Sequence, residues 1–386
     1  METQMIEIRE VKTKKEQKEF LEFPLHLYKD NPFFVPPLYG DEKKIFRKDY
    51  IYNDTCEAVY FLAFKDGKTV GRISGIIQKV SNEKTGERRV RFTRFDTVED
   101  FEVAKALFEA VEAWALKKGM DTVCGPLGFS DLEREGLLIE GFDELSTFEE
   151  QYNAAYYGSF IERLGYAKEV DWTESRIYPP EDKGEKLEQM AQFVMDRYGL
   201  RLANIKSTAD FIKNYADDCF DLLDKAYEPL YGTVPFTEKM KKMMLDNFKL
   251  IIKPQYVAVI LDKDNRVVSF GVCFPSIAKA VQKSQGHLTP AAIVRVLHDL
   301  NHPKIIDLAL VGVDPEYANR GISVIISAGL ARMLQTDGVE YAETNLNLEN
   351  NYSIQNQWKR FREVKHKRRR SYIKKLNEQQ GEASND

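Results

Sequence analysis

The residues best suited to chemistry lie in one stretch, LALVGVDPEYANRGISVIISAGLARMLQ. It predicts a strand that stops at Pro315, a short loop carrying Asn319, Arg320 and Gly321, and a helix that begins at Ser323. The first turn of a helix has backbone N–H groups without internal partners, and the helix dipole favours negative charge there. Gly321 permits close approach of a ligand, and Arg320 can add a charge-assisted bond. The spacing indicates a phosphate site, although an ordinary strand-to-helix turn has the same pattern.

The elements around this loop follow from the hydrophobic pattern. A nearly continuous apolar run, Ile305–Val313, predicts a central strand that is buried on both faces. Apolar residues at helical spacing predict a long helix over Val98–Lys118 in the first half. The other predicted elements are a strand at Val90–Phe95, a helix at Ser323–Thr336, a strand at Tyr341–Leu348, a short helix at Asn350–Phe361 and a last strand at Ser371–Leu376. Strands and helices mixed in this order indicate an α/β, or mixed α+β, architecture.

The chain divides into two halves. The polar segment YPPEDKG has consecutive prolines that exclude a helix, so the boundary is placed after Tyr178. The predicted domains span residues 1–178 and 185–376, and the polar residues 377–386 are expected to be disordered. A strand pattern around Gly71 returns around Gly271, and a helix–glycine–strand pattern occurs in both halves. These repeated patterns favour an internal duplication of the sequence over chance similarity.

The composition excludes several classes of protein. The 386 residues carry 56 Lys and Arg against 61 Asp and Glu, so the chain as a whole is not built to bind nucleic acid or a membrane. Its four cysteines stand far apart with no CxxC pair, which argues against a disulfide framework or a zinc site. No apolar leader is visible, nor a stretch approaching the roughly 20 apolar residues that cross a bilayer. We expect a soluble cytoplasmic protein without a metal.

The loop before Ser323 resembles the acetyl-CoA-binding motif of the GNAT superfamily, the Gcn5-related N-acyltransferases. The family pattern is (Gln/Arg)-x-x-Gly-x-(Gly/Ala) after a strand that ends in V-x-P. The segment Val313-Asp314-Pro315 matches the strand end, and Gly321 matches the first glycine. The chain departs from the pattern at Ala318 and Ser323. A later helix of the family is marked by an Asn, for which Asn351 is the candidate here.

The first half resembles the same fold less directly. Its stretch NAAYYGSFIERLGYAKEVDW is similar to the late helix–turn–strand of the family, but the pyrophosphate loop is missing. Carboxylates occupy the start of the corresponding helix and would repel a phosphate: Asp96, Glu99, Asp100 and Glu102. The resemblance therefore implies two tandem GNAT-like domains, each a mixed twisted sheet flanked by helices, with the cofactor held by the second.

The resemblance also implies a reaction, the transfer of an acyl group from acyl-CoA to an amine. The amine must lose a proton to a base, for which the candidates are Asp307, Glu343 and Glu349. Each of these carboxylates has the alternative of being simply paired or solvated. The tyrosines that could protonate the departing thiolate are Tyr352 and Tyr372. The implied CoA-binding residues are Val311, Val313, Asn319, Arg320, Gly321, Ile322, Ser323 and Asn351. The implied substrate-binding residues are Tyr156 and Tyr157, together with Tyr231 and Phe236, for which core packing is the alternative.

A basic segment, KRFREVKHKRRRSYIKK, runs from Lys359 to Lys375 and holds ten Lys or Arg opposed only by Glu363. It could contact the phosphates of CoA, an anionic membrane surface or nucleic acid. A nucleic-acid partner is disfavoured because no aromatic platform is interleaved with the cations. The alternative is a solvated loop and an edge strand whose cations prevent edge-to-edge pairing.

These features lead to one expected function and two alternatives. We expect a cytoplasmic acyl-CoA-dependent N-acyltransferase that acts on a primary amine, with a long-chain, sphingoid-like amine as one candidate acceptor. The first alternative is a catalytically inactive binding protein with a GNAT fold. The second is a protein that binds nucleic acid or an anionic surface through residues 359–375.

Overall fold

The computed structural model describes residues 5–376, so the expected disordered tail at 377–386 lies outside the described residues. The described chain forms two compact units. Unit 1 takes the residues up to Trp172 together with Ala278–Ile293 and the chain from Lys367 onwards. Unit 2 consists of Thr173–Ile277 and Val294–His366.

The helices and strands alternate along the chain as the mixed pattern predicts. The first part contains β1 (Glu7–Glu10), α1 (Lys14–Leu27), α2 (Tyr39–Glu42), β2 (Cys56–Lys65), β3 (Lys68–Gln78), α3 (Lys79–Thr85), β4 (Arg89–Thr97), α4 (Phe101–Lys117), β5 (Thr122–Gly125), β6 (Leu137–Glu140), α5 (Tyr156–Arg163) and β7 (Ala167–Tyr178). The second part contains α6 (Glu185–Tyr198), β8 (Arg201–Leu202), α7 (Thr208–Asn214), α8 (Ala216–Tyr227), α9 (Glu238–Phe248), β9 (Val257–Leu261), β10 (Val267–Pro275), α10 (Ala278–Lys283), α11 (Pro290–Asn301), β11 (Ile305–Val313), α12 (Ser323–Met333), β12 (Tyr341–Glu343), β13 (Asn347–Leu348), α13 (Tyr352–Trp358) and β14 (Arg362–Lys375).

Unit 1 is built on a sheet in the order β1-β2-β3-β4-β5-β14. All neighbours with known register are antiparallel except β4 and β5, which run parallel because the crossover helix α4 joins them. The helix places Val103, Leu107 and Val111 in the core, where all three are fully buried. One amphipathic helix therefore covers this sheet and holds the parallel pair in place.

Unit 2 repeats this plan with the order β7-β12-β11-β10-β9-β8. Here β11 and β12 are parallel and joined by α12, but they pair only from Ile305 to Asp307 on β11 and from Tyr341 to Glu343 on β12. Beyond this point β12 ends while β11 runs on to Val313. The two strands thus part, and one edge of β11 loses its neighbour.

Both units distort the strand that precedes the crossover helix. On β11, Leu310 and Leu308 face consecutive residues of β10, which leaves Ala309 as the extra residue of a β-bulge. On β4, the four residues 93–96 likewise oppose only three of β3, 72–74, and Arg94 in that stretch has a left-handed φ of 49°. The shared bulge and the shared parallel pair are the common plan of the two units.

The predicted elements agree with the structure where the signal is local. The strand Ile305–Val313 is confirmed residue for residue, and the helix predicted over Val98–Lys118 is α4. The prediction of one strand over Tyr341–Leu348 is wrong, since two short strands, β12 and β13, take its place. The last strand begins at Arg362 rather than at Ser371, because the basic residues of this segment find carboxylate partners within the fold.

The compact units interleave along the chain, whereas the sequence suggests a single cut between 178 and 185. The strands β7 and β14 and the helix α11 each supply residues to both units. A boundary drawn at a proline-rich segment cannot anticipate that late strands return to an early unit. The boundaries 1–178 and 185–376 remain predictions.

A pair of glycine substitutions tests the packing of unit 2. A Cβ at Gly312 would lie 2.8 Å from a ring atom of Phe270, which is buried and cannot retreat, whereas a Cβ at Gly329 in α12 would meet nothing within 4 Å. We expect Gly312→Ala to lower the free energy of unfolding by about 1–3 kcal/mol, and Gly329→Ala to raise it by about 0.5–1 kcal/mol. Urea unfolding followed by circular dichroism measures both. Equal midpoints for the two variants would contradict this packing.

Candidate functional site

Hydrogen bonds to the Asp314 carboxylate fix the loop after β11. The Asp314 carboxylate accepts a hydrogen bond from the backbone N–H of Glu316 at 2.9 Å and one from the Lys225 ammonium at 2.8 Å. Burial raises the pKa of Asp314, but these donors outweigh it and hold that pKa below its usual value. Asn319 and Gly321 then adopt left-handed φ angles of 64° and 76°, which turn the chain into α12. Gly321 is the residue that accepts this conformation without a steric penalty.

The start of α12 is an open hydrogen-bond donor site. Within the part of the chain that the structure describes, the N–H groups of Gly321, Ile322 and Ser323 have no hydrogen-bond partner. The Arg320 guanidinium lies above the ring of Tyr317, 4.8 Å from its centroid. Donors and positive charge therefore converge where the sequence predicts an anion.

A second cation lies beside this helix start. Nη1 of Arg360 is 3.3 Å from Oγ of Ser323 and 3.3 Å from Oγ of Ser327, and burial lowers the pKa of the guanidinium. In the sequence, Arg360 stands out only as part of the basic segment. The sequence does not show that it lies beside Ser323 and Ser327 of α12, because that position depends on how α13 packs. Arg360 therefore joins Arg320 as a candidate phosphate ligand.

The middle of β11 is less buried than the sequence suggests. The apolar run predicts burial on both faces, but the residues from Leu308 to Val311 are only half-buried. The physical reason is the end of β12 at Glu343, which leaves the edge of β11 without a strand beside it. An apolar, partly open strand edge thus leads towards the loop that precedes α12.

Ionisable side chains share a row at the point where the strands part. In register across four strands lie Phe274, Asp307, Glu343 and Arg176. Their sequence neighbours Ile306 and Ala342 pack with Leu330 of α12, so the row lies on the opposite face of the sheet. Asp307 and Glu343, two of the three predicted base candidates, therefore lie side by side on the face away from α12, whereas the third, Glu349, is exposed after β13.

Glu343 has two further partners that the sequence did not reveal. Nε2 of His366 lies 2.5 Å from one carboxylate oxygen, and Nε of Arg176 lies 3.8 Å from the other. Glu343 and Asp307 are buried, with 5% and 4% exposure, in a position where a carboxylate needs partners. In the sequence, His366 stands out as the one histidine of the basic segment. Its pairing with Glu343 depends on strand register, which the sequence does not show. The row can accept and share a proton.

The remaining predicted acid and marker residues lie elsewhere. Tyr352 begins α13 and is 70% exposed, and Asn351 caps that helix by accepting from the N–H of Ile354 at 3.3 Å. Tyr372 belongs to unit 1, where its hydroxyl donates to Glu162 at 3.2 Å. Burial, together with the Glu162 carboxylate, raises the pKa of Tyr372 to about 12. Tyr352 and Asn351 thus belong to the same unit as the row on β11 and β12, whereas Tyr372 belongs to the other unit.

The predicted substrate-binding residues fall into two groups. In unit 2, Tyr231 is half-buried after α8, and the ring of Phe236 lies 5.1 Å from that of Phe220. In unit 1, the Tyr156 hydroxyl donates to the carbonyl of Thr97 at 2.7 Å, and the Tyr157 hydroxyl accepts from its N–H at 2.7 Å. These tyrosines occupy the backbone groups at the end of β4, the counterpart of the end of β11.

The helix start of unit 1 is also occupied. The Asp100 side chain accepts from the N–H of Glu102 at 3.0 Å and pairs with the Lys65 ammonium at 2.9 Å. The carboxylate thus fills, at α4, the role that an anionic ligand could take at α12. A phosphate would meet negative charge there.

Much of the basic segment is buried or paired with carboxylates inside unit 1. Arg370 forms a two-pronged ion pair with Asp171 at 2.8 and 3.0 Å, and Lys374 pairs with Glu112 at 2.8 Å. Lys367 and Arg369 are buried. The alternative of a solvated loop is wrong, because β14 runs through the segment from Arg362 to Lys375. The structure leaves few exposed cations here for an anionic surface.

Residues 5–376 lack two kinds of feature. No group of three or more His, Cys, Asp or Glu side chains there is arranged to hold a metal ion. In the same range, every helix is too short or too polar to cross a bilayer.

Comparisons with known proteins place these observations in context. No family model matches the sequence. Among curated proteins, the chain is 27% identical over 381 residues to "Protein YghO" of Escherichia coli K12, covering 96% of this chain and 95% of the relative. It is also 27% identical over 291 residues to "Bacterial ceramide synthase" of Caulobacter vibrioides, covering 74% of each chain.

Solved structures show the fold. A tandem GNAT protein from the clavulanic acid biosynthesis pathway superposes with a TM-score of 0.56 at 10% identity, covering 97% of this chain and 99% of that one. A GCN5-related N-acetyltransferase from Sphaerobacter thermophilus superposes with a TM-score of 0.50 at 12% identity, covering 96% and 95%. The chain therefore has the mixed α/β fold of the tandem GNAT proteins, as its loop after β11 predicted.

Proposed function

We propose that the protein is an acyl-CoA-dependent N-acyltransferase, and that unit 2 holds acyl-CoA and passes its acyl group to a primary amine. The observation that carries the proposal is the open start of α12, where three N–H donors and Arg360 converge beside the exposed edge of β11. The tandem GNAT fold is the wider support. The cytoplasmic location expected from the sequence stays a prediction.

The residues of unit 2 fit the chemistry of acyl-CoA. The N–H groups of Gly321, Ile322 and Ser323, with Arg320 and Arg360, suit the phosphates. The apolar edge from Leu308 to Val311 suits the uncharged remainder of the molecule. Acyl-CoA supplies the acyl group as a thioester, and a backbone N–H near Val311 or Val313 is the proposed donor to the thioester oxygen.

The carboxylate row supplies the proton acceptor. A primary amine is protonated near neutral pH and must lose a proton before it can attack. Glu343 takes this proton directly or through water, while His366 fixes the carboxylate and shares the proton. Asp307, its neighbour in the row, is the second candidate base. Tyr352 is the tyrosine of unit 2 proposed to protonate the leaving thiolate.

The proposed acceptor is a lipid-like amine, including a long-chain, sphingoid-like amine. The relative named as a bacterial ceramide synthase supports this choice. The aliphatic character of β11 supports it also, because Leu308, Leu310 and Val311 are half-buried at the open edge. Unit 1, whose Tyr157 and Asp100 take up the equivalent backbone groups, is proposed to have no acyl-CoA site.

Binding of CoA tests the open helix start. We expect Arg360→Gln to weaken CoA by roughly tenfold or more, because a charge-assisted bond to phosphate is worth about 1.5–3 kcal/mol. Lys359→Gln, an adjacent and exposed charge, is the matched control and should leave the affinity unchanged. Titration calorimetry with CoA measures both variants. Equal weakening by the two substitutions would mean that only net charge matters, and the assigned site would be wrong.

Turnover tests the base. We expect Glu343→Gln to lower kcat by about 10²–10⁴, the usual contribution of a positioned general base, with CoA affinity preserved. Glu340→Gln, an exposed carboxylate just before β12, is the control. Release of free thiol from acyl-CoA in the presence of amine gives the rate. A Glu343→Gln enzyme with wild-type kcat would remove this residue from the mechanism.

Chain length tests the acceptor. We expect kcat/KM to rise about fourfold for each CH₂ added to a linear primary amine, since a buried CH₂ contributes about 0.8 kcal/mol. The same amines with a methylated nitrogen serve as controls for the reacting group. A rate that is independent of chain length would exclude a lipid-like acceptor while leaving acyl transfer itself intact. If no amine is acylated while CoA binds, the inactive binding protein is the better description.

A further inference from the structure

Within unit 2, helix α6 packs along α12 and ends beside the loop that leads into it. A Cβ at Gly184, just before α6, would lie 2.8 Å from Cβ of Ala331 near the end of α12. A Cβ at Gly321, two residues before α12, would lie 3.7 Å from a methyl carbon of Val194 near the end of α6. The two helices therefore run antiparallel, and the carboxyl end of α6 reaches the start of α12.

This junction carries two arginines and two tyrosines. The Arg197 guanidinium lies 5.5 Å from the centroid of the Tyr198 ring, and the Arg320 guanidinium lies 5.7 Å from the same centroid. Arg320 also lies 4.8 Å from the centroid of the Tyr317 ring. A cation above a ring face at such a distance is attracted to it. Tyr198 therefore links a charge at the end of α6 to the charge in the loop before α12.

The two rings are held by packing, whereas the two charges face solvent. Tyr198 and Tyr317 are half-buried and pack against the core cluster that contains Ile322. Arg197 and Arg320 are exposed, and neither forms an ion pair with a described residue. The rings thus provide a fixed aromatic surface, and the guanidinium groups beside it keep their hydrogen-bond donors available to a ligand.

The acids that neighbour these arginines in the chain have other partners. Asp196 accepts a hydrogen bond from the side-chain amide of Gln192 at 2.8 Å. Glu316 lies 3.8 Å from the Lys225 ammonium. Positive charge beside aromatic rings therefore remains at the junction, a combination that suits a phosphate attached to a flat heteroaromatic group.

We propose that Arg197 and Tyr198 bind the adenosine 3′-phosphate end of CoA, with Arg197 on the phosphate and Tyr198 against the adenine. The proposal rests on the proposed function and deepens it. The open N–H groups at the start of α12, together with Arg360, suit the pyrophosphate, so the third phosphate of CoA, on its ribose, still needs a partner. Arg320, which lies near the Tyr198 ring, joins this site to the loop. Helix α6 would thus make the protein selective for CoA over shorter pantetheine compounds.

Titration calorimetry of the full chain with CoA and with 3′-dephospho-CoA tests the proposal. The wild type is expected to bind CoA about fivefold more tightly, a gain typical of a contact between exposed charges. Arg197→Gln should lower the affinity for CoA to that for dephospho-CoA and leave the affinity for dephospho-CoA unchanged. Lys186→Gln is the matched control, since it removes an exposed charge from the same helix about 16 Å away along its axis, and it should bind both ligands as the wild type does.

A ring variant gives a second readout. Tyr198→Leu should weaken the binding of both ligands by about fivefold and keep the ratio of their affinities, because both contain adenine. Unchanged binding by this variant removes Tyr198 from the site. Circular dichroism checks its fold, since Tyr198 is half-buried, and if the variant unfolds, the exposed position 197 decides through Arg197→Gln.

The outcomes separate this proposal from the proposed function. Equal affinity of the wild type for the two ligands overturns the proposal and leaves the acyl-CoA site in place. So does an Arg197→Gln variant that weakens both ligands alike, the result expected if the cation acts only on the end of its own helix. An equal loss in Lys186→Gln would mean that net charge alone matters, and it also overturns the proposal. Absence of CoA binding by the wild type overturns the proposed function together with this proposal.

Discussion

The parting of β11 from β12 is the constraint on which the rest of unit 2 depends. The two strands pair in parallel over three residues each, and then β12 ends at Glu343 while β11 continues through the bulge at Ala309. A buried strand edge must normally be paired, because its backbone groups need partners. Leaving this edge without a strand has a cost in stability, which a bound ligand could offset by supplying the missing contacts. The carboxylate row at the fork and the donor-rich start of α12 lie at the two ends of that open edge.

The local parts of this arrangement could be predicted from the sequence, and the non-local parts could not. The strand Ile305–Val313 is bounded by Pro315 and consists of apolar residues, so its limits follow from neighbouring residues. The turn at Gly321 needs a residue that tolerates a positive φ, and glycine signals this directly. The contact between Glu343 and His366 has no local signal. It exists because β14 returns to the sheet after α13, and the register of that return is set by packing over the whole unit.

The two units share one arrangement of strands and a crossover helix, but they differ in which backbone groups are hydrogen-bonded internally. Both carry the bulge, the parallel pair and the crossover helix, yet the polar groups that are open in unit 2 are satisfied internally in unit 1. Tyr157 accepts from the N–H of Thr97 at the end of β4, and Asp100 caps α4 while pairing with Lys65. Filling these groups with side chains stabilises unit 1 without a ligand, because buried donors no longer need an external acceptor. A few side chains therefore decide whether these backbone groups are satisfied internally, as in unit 1, or left open, as at the start of α12 in unit 2.

The distribution of cations follows the same logic. The run from Lys359 to Lys375 is the most conspicuous charge in the sequence, yet the fold places much of it opposite buried acids such as Asp171 and Glu112. Those carboxylates come from distant parts of the chain, so a count of charges along the sequence overstates what the surface presents. The less conspicuous cations at 279, 283 and 295 are exposed and form no ion pair with a described residue. A partner can be bound only by charges that the fold leaves unpaired at the surface. The number of charges in a sequence segment does not show how many of them remain unpaired.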